Sequence, residues 1–215
     1  MTEQTFNGDK KDIATLGFLG PYEVRFRERF VTKIPIWIKS HHLTYSTVLW
    51  SAGVILFSYL SVYEIKWLWV VSAMLLLQYF TDLMDGEVGR RRGEGLLKWG
   101  FFMDHFLDYI FFCSIIIGYG FLLPSGFDLK LFLAFIIFSS MMVITFLDFG
   151  ATNKFKIAYL GIGPTETRLA VVGINTLMII FGVGFLAEFL PIILIFGFIG
   201  IFVLVYKTHK SLWRT

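Results

Sequence analysis

The chain is 215 residues long, the size of one ordinary domain, with a formal net charge of +3. Hydrophobic residues make up 56% of it and charged residues only 16%. A water-soluble protein of this size could not bury so much apolar surface, so a soluble enzyme, a disordered chain and a collagen-like repeat are excluded. The single cysteine also excludes a disulfide framework. The composition therefore predicts an integral membrane protein.

Residues 22–38, before the first long apolar run, mix basic and hydrophobic side chains. Apolar positions recur every four residues in this segment, which predicts a helix lying on the membrane surface and attracted to anionic lipid. Pro35 would end or kink that helix. The alternation over residues 24–31 would equally suit a strand, and a solvated basic linker is the simplest alternative. The polar N-terminus does not resemble a cleavable signal peptide.

Six apolar segments follow, and a membrane-spanning helix needs roughly 20 such residues. The runs are continuous, whereas the strands of a membrane barrel would alternate. We therefore predict an all-α integral membrane protein with six transmembrane helices near residues 43–63, 67–89, 97–121, 130–150, 167–187 and 189–207. This divides the chain into an N-terminal segment with the interfacial helix, residues 1–42, and a six-helix membrane domain, residues 43–215.

The loops between these segments differ sharply in charge. One side of the membrane receives 17 of the 19 lysine and arginine residues, and the other side receives only Lys66 and Lys130. Because basic loops remain in the cytoplasm, both termini and the connection between the second and third spans are predicted to be cytoplasmic.

Four aspartates lie at the cytoplasmic ends of the second and third spans, where ionisable side chains are costly and therefore point to a function. They alternate with glycines at spacings of three and four residues, so each set falls on one helix face. The first face holds Asp82, Asp85, Gly86 and Gly89, and the second holds Gly100, Asp104 and Asp108. A short connection joins the two helices, so the two acidic faces can meet.

Four converging carboxylates need protons or cations to offset their charge. Oxygen ligands select hard ions such as Mg²⁺, Mn²⁺ or Ca²⁺, and two divalent ions would balance four carboxylates. Paired metals are typical of phosphoryl transfer, and Arg90, Arg91 and Arg92 suit phosphate recognition. A cation-coupled transporter is the alternative function, and simple pairing of acids with arginines at a helix end is the structural alternative. The position of the acids near the cytoplasmic face favours the enzyme.

The segment Asp82-x2-Asp85-Gly86-x2-Gly89-Arg90-x9-Gly100-x3-Asp104-x3-Asp108 resembles the signature of the CDP-alcohol phosphotransferase family. Members of this family are six-helix membrane enzymes of phospholipid synthesis. The chain departs from the family pattern in having Gly89 where alanine is usual and nine residues, rather than eight, before Gly100. We interpret the second departure as a one-residue insertion in the loop, which leaves open which arginine faces the ligand.

The resemblance implies roles for individual residues. It implies that Asp82, Asp85, Asp104 and Asp108 form a site for two Mg²⁺ or Mn²⁺ ions, and that Asp108 is also the catalytic base for the acceptor hydroxyl. The CDP moiety would bind beside Asp82, Gly86, Gly89 and Arg90. It further implies a CDP-linked lipid donor, an alcohol acceptor, release of CMP and a homodimer in the membrane. No nucleic acid partner is expected.

The start of the fifth span carries a further candidate site. Arg168, with Lys154 and Lys156, is predicted to bind a phosphate of the acceptor, with Asp148 as a candidate partner of these bases. Such an acceptor favours CDP-diacylglycerol as donor, and CDP-choline or CDP-ethanolamine with diacylglycerol is the alternative pair. For His105, which adjoins an acid, a structural hydrogen bond is favoured over catalysis.

Overall fold

The computed structural model describes residues 18–153, 155 and 163–213, and these ranges contain helices and no strand. A 3₁₀ turn, Ile65–Trp67, precedes the third of the helices. The α-helices are α1 (Gly20–Val31), α2 (Ser40–Ser61), α3 (Leu68–Arg92), α4 (Leu97–Leu122), α5 (Asp128–Thr152), α6 (Pro164–Phe181) and α7 (Gly184–Leu212). The prediction of an all-α protein is therefore confirmed.

Five of these helices are long and apolar enough to cross a membrane, namely α2, α3 with its preceding turn, α4, α5 and α7. They identify the chain as an integral membrane protein. Helix α6 is not among the five, since its 18 residues include Glu166 and Arg168 in the first turns and Asn175 further along. The sixth span thus stays a prediction.

The predicted boundary between the last two spans is wrong. The sequence placed it at Glu188, because this residue interrupts the apolar run. The structure places the break at Gly182, whose positive φ of 86° ends α6. Glu188 instead lies in the second turn of α7 with its side chain exposed. A charged residue near a helix end can reach water, so it need not interrupt a span.

The N-terminal basic segment forms a helix, so the strand alternative is wrong. Helix α1 ends at Val31, four residues before Pro35. It packs against α3, where the rings of Phe26 and Phe30 lie 6.2 and 6.3 Å from that of Phe80. Val31 is buried in a cluster with residues of α2 and α3. Helix α1 is thus attached to the membrane bundle rather than separate from it.

Helix α2 packs against both α3 and α4, and α6 packs against α3. The buried apolar residues where these helices and α7 meet form the main core, which consists of Val54, Leu68, Val71, Leu75, Phe111, Tyr119, Met178 and Leu186. The alternating helix directions bring the carboxyl end of α3 together with the amino ends of α2, α4 and α6. The candidate site lies at this end of the bundle.

Candidate active site

Three of the four predicted acids converge. One carboxylate oxygen each from Asp82, Asp104 and Asp108 lies within 4.8 Å of the others. Asp82 comes from α3 and the other two from successive turns of α4, as the helical spacing predicts. The structure therefore brings together side chains of two helices into one group of acids.

Arg168 enters this group from the second turn of α6. Its guanidinium lies 3.1 Å from Asp82 Oδ2 and 3.0 Å from Asp108 Oδ1, and its side chain is 11% exposed. Among the residues that the structure describes, Arg168 thus pairs with two of the three acids, whose side chains are 18 to 26% exposed. The other predicted acceptor-binding residues, Lys154 and Lys156, lie outside the described residues.

The fourth acid, Asp85, lies beside this group rather than inside it. It is buried, and its Oδ2 accepts a hydrogen bond of 2.8 Å from Thr44 of α2. Thr44 is itself buried and also donates toward the backbone carbonyl of Ser40. The amino end of α2 thereby holds one acid of α3 in place.

A pocket opens next to these acids, between α2, α3 and α4. Asp82, Asp85 and Asp104 line it, whereas Asp108 and Arg168 lie outside its lining. Further lining residues are Arg27, Ser40, Thr44, Leu83, Gly86, Gly89, Arg90, Gly95, Leu96, Leu97, Trp99, Gly100, Phe101 and His105. The pocket therefore combines carboxylates, arginines and glycine backbone, as a site for a metal-bound diphosphate would.

The glycines of the α3 face permit close approach of two neighbours. A Cβ atom added at Gly86 would lie 3.4 Å from the guanidinium of Arg90, and one added at Gly89 would lie 3.4 Å from the Cβ atom of Ser40. The alanine usual in the family at position 89 would fit here only with a small adjustment of Ser40.

The three consecutive arginines have different surroundings. Arg90 and Arg91 pair with Glu87 at 3.0 and 2.7 Å, and Arg27 of α1 pairs with the same carboxylate at 3.3 Å. Of the three consecutive arginines only Arg90 lines the pocket. Arg92 faces the opposite way and donates hydrogen bonds to the turn before α2.

The turn before α2 presents four backbone carbonyl groups to Arg92. They belong to Ile34, Pro35, Ile36 and Ile38. The side chains of Ile36 and Trp37 in the same turn are 88% and 74% exposed. Arg92 is thus a structural residue of the α1–α2 connection.

The four-residue connection between α3 and α4, residues 93–96, lies within the stretch where the motif spacing predicts one extra residue. Its Glu94 accepts hydrogen bonds from the backbone and hydroxyl of Ser40, at 3.1 and 2.7 Å. Burial raises the pKa of Glu94, but the bonds from Ser40 outweigh it and hold the pKa below its usual value. Each acidic helix face lies wholly within one helix, one before this connection and one after it.

His105 contacts the neighbouring acid, with Nδ1 3.1 Å from Asp104 Oδ2. Its ring packs among Phe101, Phe146 and Phe155 at centroid distances of 4.4 to 5.6 Å. This agrees with the structural hydrogen bond favoured from the sequence.

Sequence reasoning missed two polar partners of the acids, Gln78 and Thr44. Gln78 donates a hydrogen bond of 2.9 Å to Asp108 Oδ1, and it lies one turn before Asp82 on the same helix face. A polar residue four positions before Asp82 in an apolar run could have predicted that Gln78 lies near the acids. The pairing of Thr44 with Asp85 joins residues 41 positions apart, and local spacing carries no signal for it.

The residues present fit a divalent cation. The donors are carboxylate oxygens only, which suits hard ions, and three of them are close enough to share one site. The charge of ionised carboxylates also has the sign that such an ion would offset.

The comparison with protein families agrees with this chemistry. Residues 39–206 match the model of the CDP-alcohol phosphatidyltransferase family, which covers well over half of the chain. The protein therefore belongs to the CDP-alcohol phosphatidyltransferase family and is a transferase. Searches of curated proteins and of solved structures found no match.

Proposed function

We propose that the protein transfers a phosphatidyl group from CDP-diacylglycerol to the hydroxyl of a small polar alcohol and releases CMP. Family membership supports transfer from a CDP-alcohol and disfavours the cation transporter. The observation that carries the proposal is the convergence of Asp82, Asp104 and Asp108 beside a pocket lined with arginines.

In the proposed reaction the acceptor oxygen attacks the β-phosphorus of the CDP donor. The new P–O bond forms as the bond to CMP breaks, and the hydroxyl proton passes to the carboxylate of Asp108. Asp82, Asp85, Asp104 and Asp108 would hold two Mg²⁺ or Mn²⁺ ions. When bound, these ions would offset the negative charge of the diphosphate.

The donor would bind in the pocket between α2, α3 and α4. Gly86 and Gly89 line this pocket without a side chain of their own, and Arg90 contributes a positive charge at the pocket wall. Asp108 lies outside the pocket lining, next to Arg168. The acceptor would therefore approach from the α6 side, opposite the donor.

Arg168 supports a phosphorylated acceptor such as glycerol phosphate or inositol phosphate, with Lys154 and Lys156 as proposed helpers. CDP-choline or CDP-ethanolamine with diacylglycerol is the second substrate pair. The basic residues counted above support an active site and both termini in the cytoplasm. A homodimer is proposed from the family resemblance.

The experiment is CMP release by purified protein in lipid, with Mg²⁺ or Mn²⁺, CDP-diacylglycerol and a panel of acceptors. We expect acceptor-dependent release that chelation abolishes and that Asp108→Asn reduces by about 10²–10⁴-fold, the contribution of a general base. Arg91→Met is the matched control, because its exposed side chain lies outside the pocket lining. Release only from CDP-choline or CDP-ethanolamine with diacylglycerol would replace the donor assignment, and silence with every pair would refute the function.

A further inference from the structure

Gln78 is a fully buried amide in the apolar part of α3, with an exposed fraction of 0%. Its side-chain nitrogen donates to Asp108 Oδ1 at 2.9 Å. An ionised carboxylate accepts hydrogen bonds and cannot donate them, so the amide nitrogen, and not its oxygen, must face Asp108. The orientation of the Gln78 amide is therefore determined by the acid.

The same oxygen of Asp108 also accepts a hydrogen bond from Arg168, at 3.0 Å. Asp108 is carried by α4, whereas Gln78 and Arg168 belong to α3 and α6. Two donors on one oxygen restrict the rotation of the carboxylate about its own axis. The acid is thus oriented by two helices other than its own.

Packing alone does not account for an amide at this position. The Gln78 carbonyl oxygen is buried and has no hydrogen-bond partner within the part of the chain that the structure describes. A buried acceptor without a partner is unfavourable, and an apolar side chain of similar length would avoid that penalty. The amide instead supplies the hydrogen bond to Asp108, which an apolar side chain could not make.

Asn175 shows how a purely structural amide is accommodated in the same bundle. It is also fully buried, and both ends of its amide have partners. Its oxygen accepts from the Tyr119 hydroxyl at 2.9 Å, and its nitrogen donates to Ser72 Oγ at 3.1 Å. No acid takes part in these contacts, which makes Asn175 a matched reference for Gln78.

We propose that Gln78 is a positioning residue of the active site, whose amide acts with Arg168 to orient the Asp108 carboxylate toward the acceptor hydroxyl. The inference rests on the proposed function and adds to it a residue outside the motif. Mutation of a residue that hydrogen-bonds to a metal ligand typically lowers activity or metal affinity by about 10- to 100-fold.

The test compares Gln78→Met, which keeps the length of the side chain and removes the donor, with Asn175→Leu. We expect Gln78→Met to lower kcat by about 10- to 100-fold with an unchanged KM for the CDP donor. Free Mn²⁺ measured by electron paramagnetic resonance should report about tenfold weaker Mn²⁺ binding in the same variant. Asn175→Leu should leave kcat and Mn²⁺ binding unchanged while lowering the melting temperature.

Gln78→Asn is the second variant, since it retains an amide on a shorter side chain and should reduce kcat less than Gln78→Met. The inference is overturned if kcat and Mn²⁺ affinity stay within twofold of wild type, or if Asn175→Leu reduces them equally. If the wild-type protein releases no CMP from any donor, the proposed function fails. The Mn²⁺ comparison then still decides whether Gln78 positions Asp108.

Discussion

Helix α3 contributes to two buried polar clusters that lie about three turns apart. In one of them Ser72 forms a neutral network with Tyr119 and Asn175, in which both ends of the Asn175 amide are hydrogen-bonded. In the other, Asp82 joins the carboxylates of Asp104 and Asp108 and the guanidinium of Arg168, so three acids lie close together.

The difference separates a structural cluster from a functional one. Neutral groups that satisfy one another hold helices together at modest gain, and they need no ligand. A cluster with unbalanced charge is unfavourable in the isolated protein and becomes favourable when a cation or substrate supplies the missing charge. On this view, the convergence of three carboxylates around Asp82 supports the proposed cation site.

The largest effect is expected from removing the guanidinium of Arg168 from the charged cluster. Arg168→Met removes the guanidinium that pairs with Asp82 and Asp108, and we expect it to destabilise the protein by about 3 kcal/mol in EDTA, as for a broken buried ion pair. Added Mn²⁺ should recover part of this loss. Thermal unfolding in detergent with and without Mn²⁺ measures both effects.

Arg91→Met is the control for this variant, because Arg91 is an exposed arginine whose side chain is 43% accessible. Its pair with Glu87 should be worth less than about 1 kcal/mol. Equal melting temperatures for Arg168→Met and wild type in EDTA would contradict the charge imbalance.

Removing the neutral network should have a smaller effect. Asn175→Leu keeps the number and branching of the side-chain heavy atoms but leaves the hydroxyl groups of Tyr119 and Ser72 without the amide. We expect a loss of about 1 kcal/mol that Mn²⁺ does not change, the size measured for interhelical hydrogen bonds in membranes. A loss that Mn²⁺ reverses would show that the two clusters are coupled.

The smallest expected effect concerns Glu94, a carboxylate in the connection outside both clusters. Its pKa is held below the usual value of 4.5, so its contribution to stability is present above pH 4.5 and is lost as the pH falls through its lower folded-state pKa. Glu94→Gln should therefore lower stability near pH 7, by less than about 1 kcal/mol because water screens the group. Melting curves from pH 7 to pH 3.5 should converge for wild type and variant at the acid end, and a constant difference would contradict the assignment.

Much of this architecture is readable from local sequence patterns. The apolar runs predicted α2 to α5 to within three residues at each end, and the spacing of the four aspartates predicted two acidic helix faces. Both signals depend on neighbours along one helix. Gln78 follows the same logic, because it lies one turn before Asp82.

The features that escaped prediction depend on contacts between distant segments or on backbone conformation. The pairing of Arg168 with Asp82 and Asp108 depends on how α6 lies against α3 and α4, which no local spacing encodes. The end of α6 depends on the positive φ of Gly182, a glycine that resembles many others in the chain. Glu188 offered a more conspicuous but misleading signal, because a charge can lie near a helix end without ending it.

The contacts of Arg92 with the turn before α2 have a consequence for how the protein meets lipid. Carbonyl groups that would otherwise accept hydrogen bonds from water here accept them from the guanidinium of Arg92. These four carbonyl groups can therefore leave water without losing a hydrogen-bond donor, which is a requirement for carbonyl groups that enter a membrane. Ile36 and Trp37 can then be immersed at the lipid boundary at little cost. Since Arg92 belongs to α3, the same contacts connect this turn to the helix that carries Asp82 and Asp85.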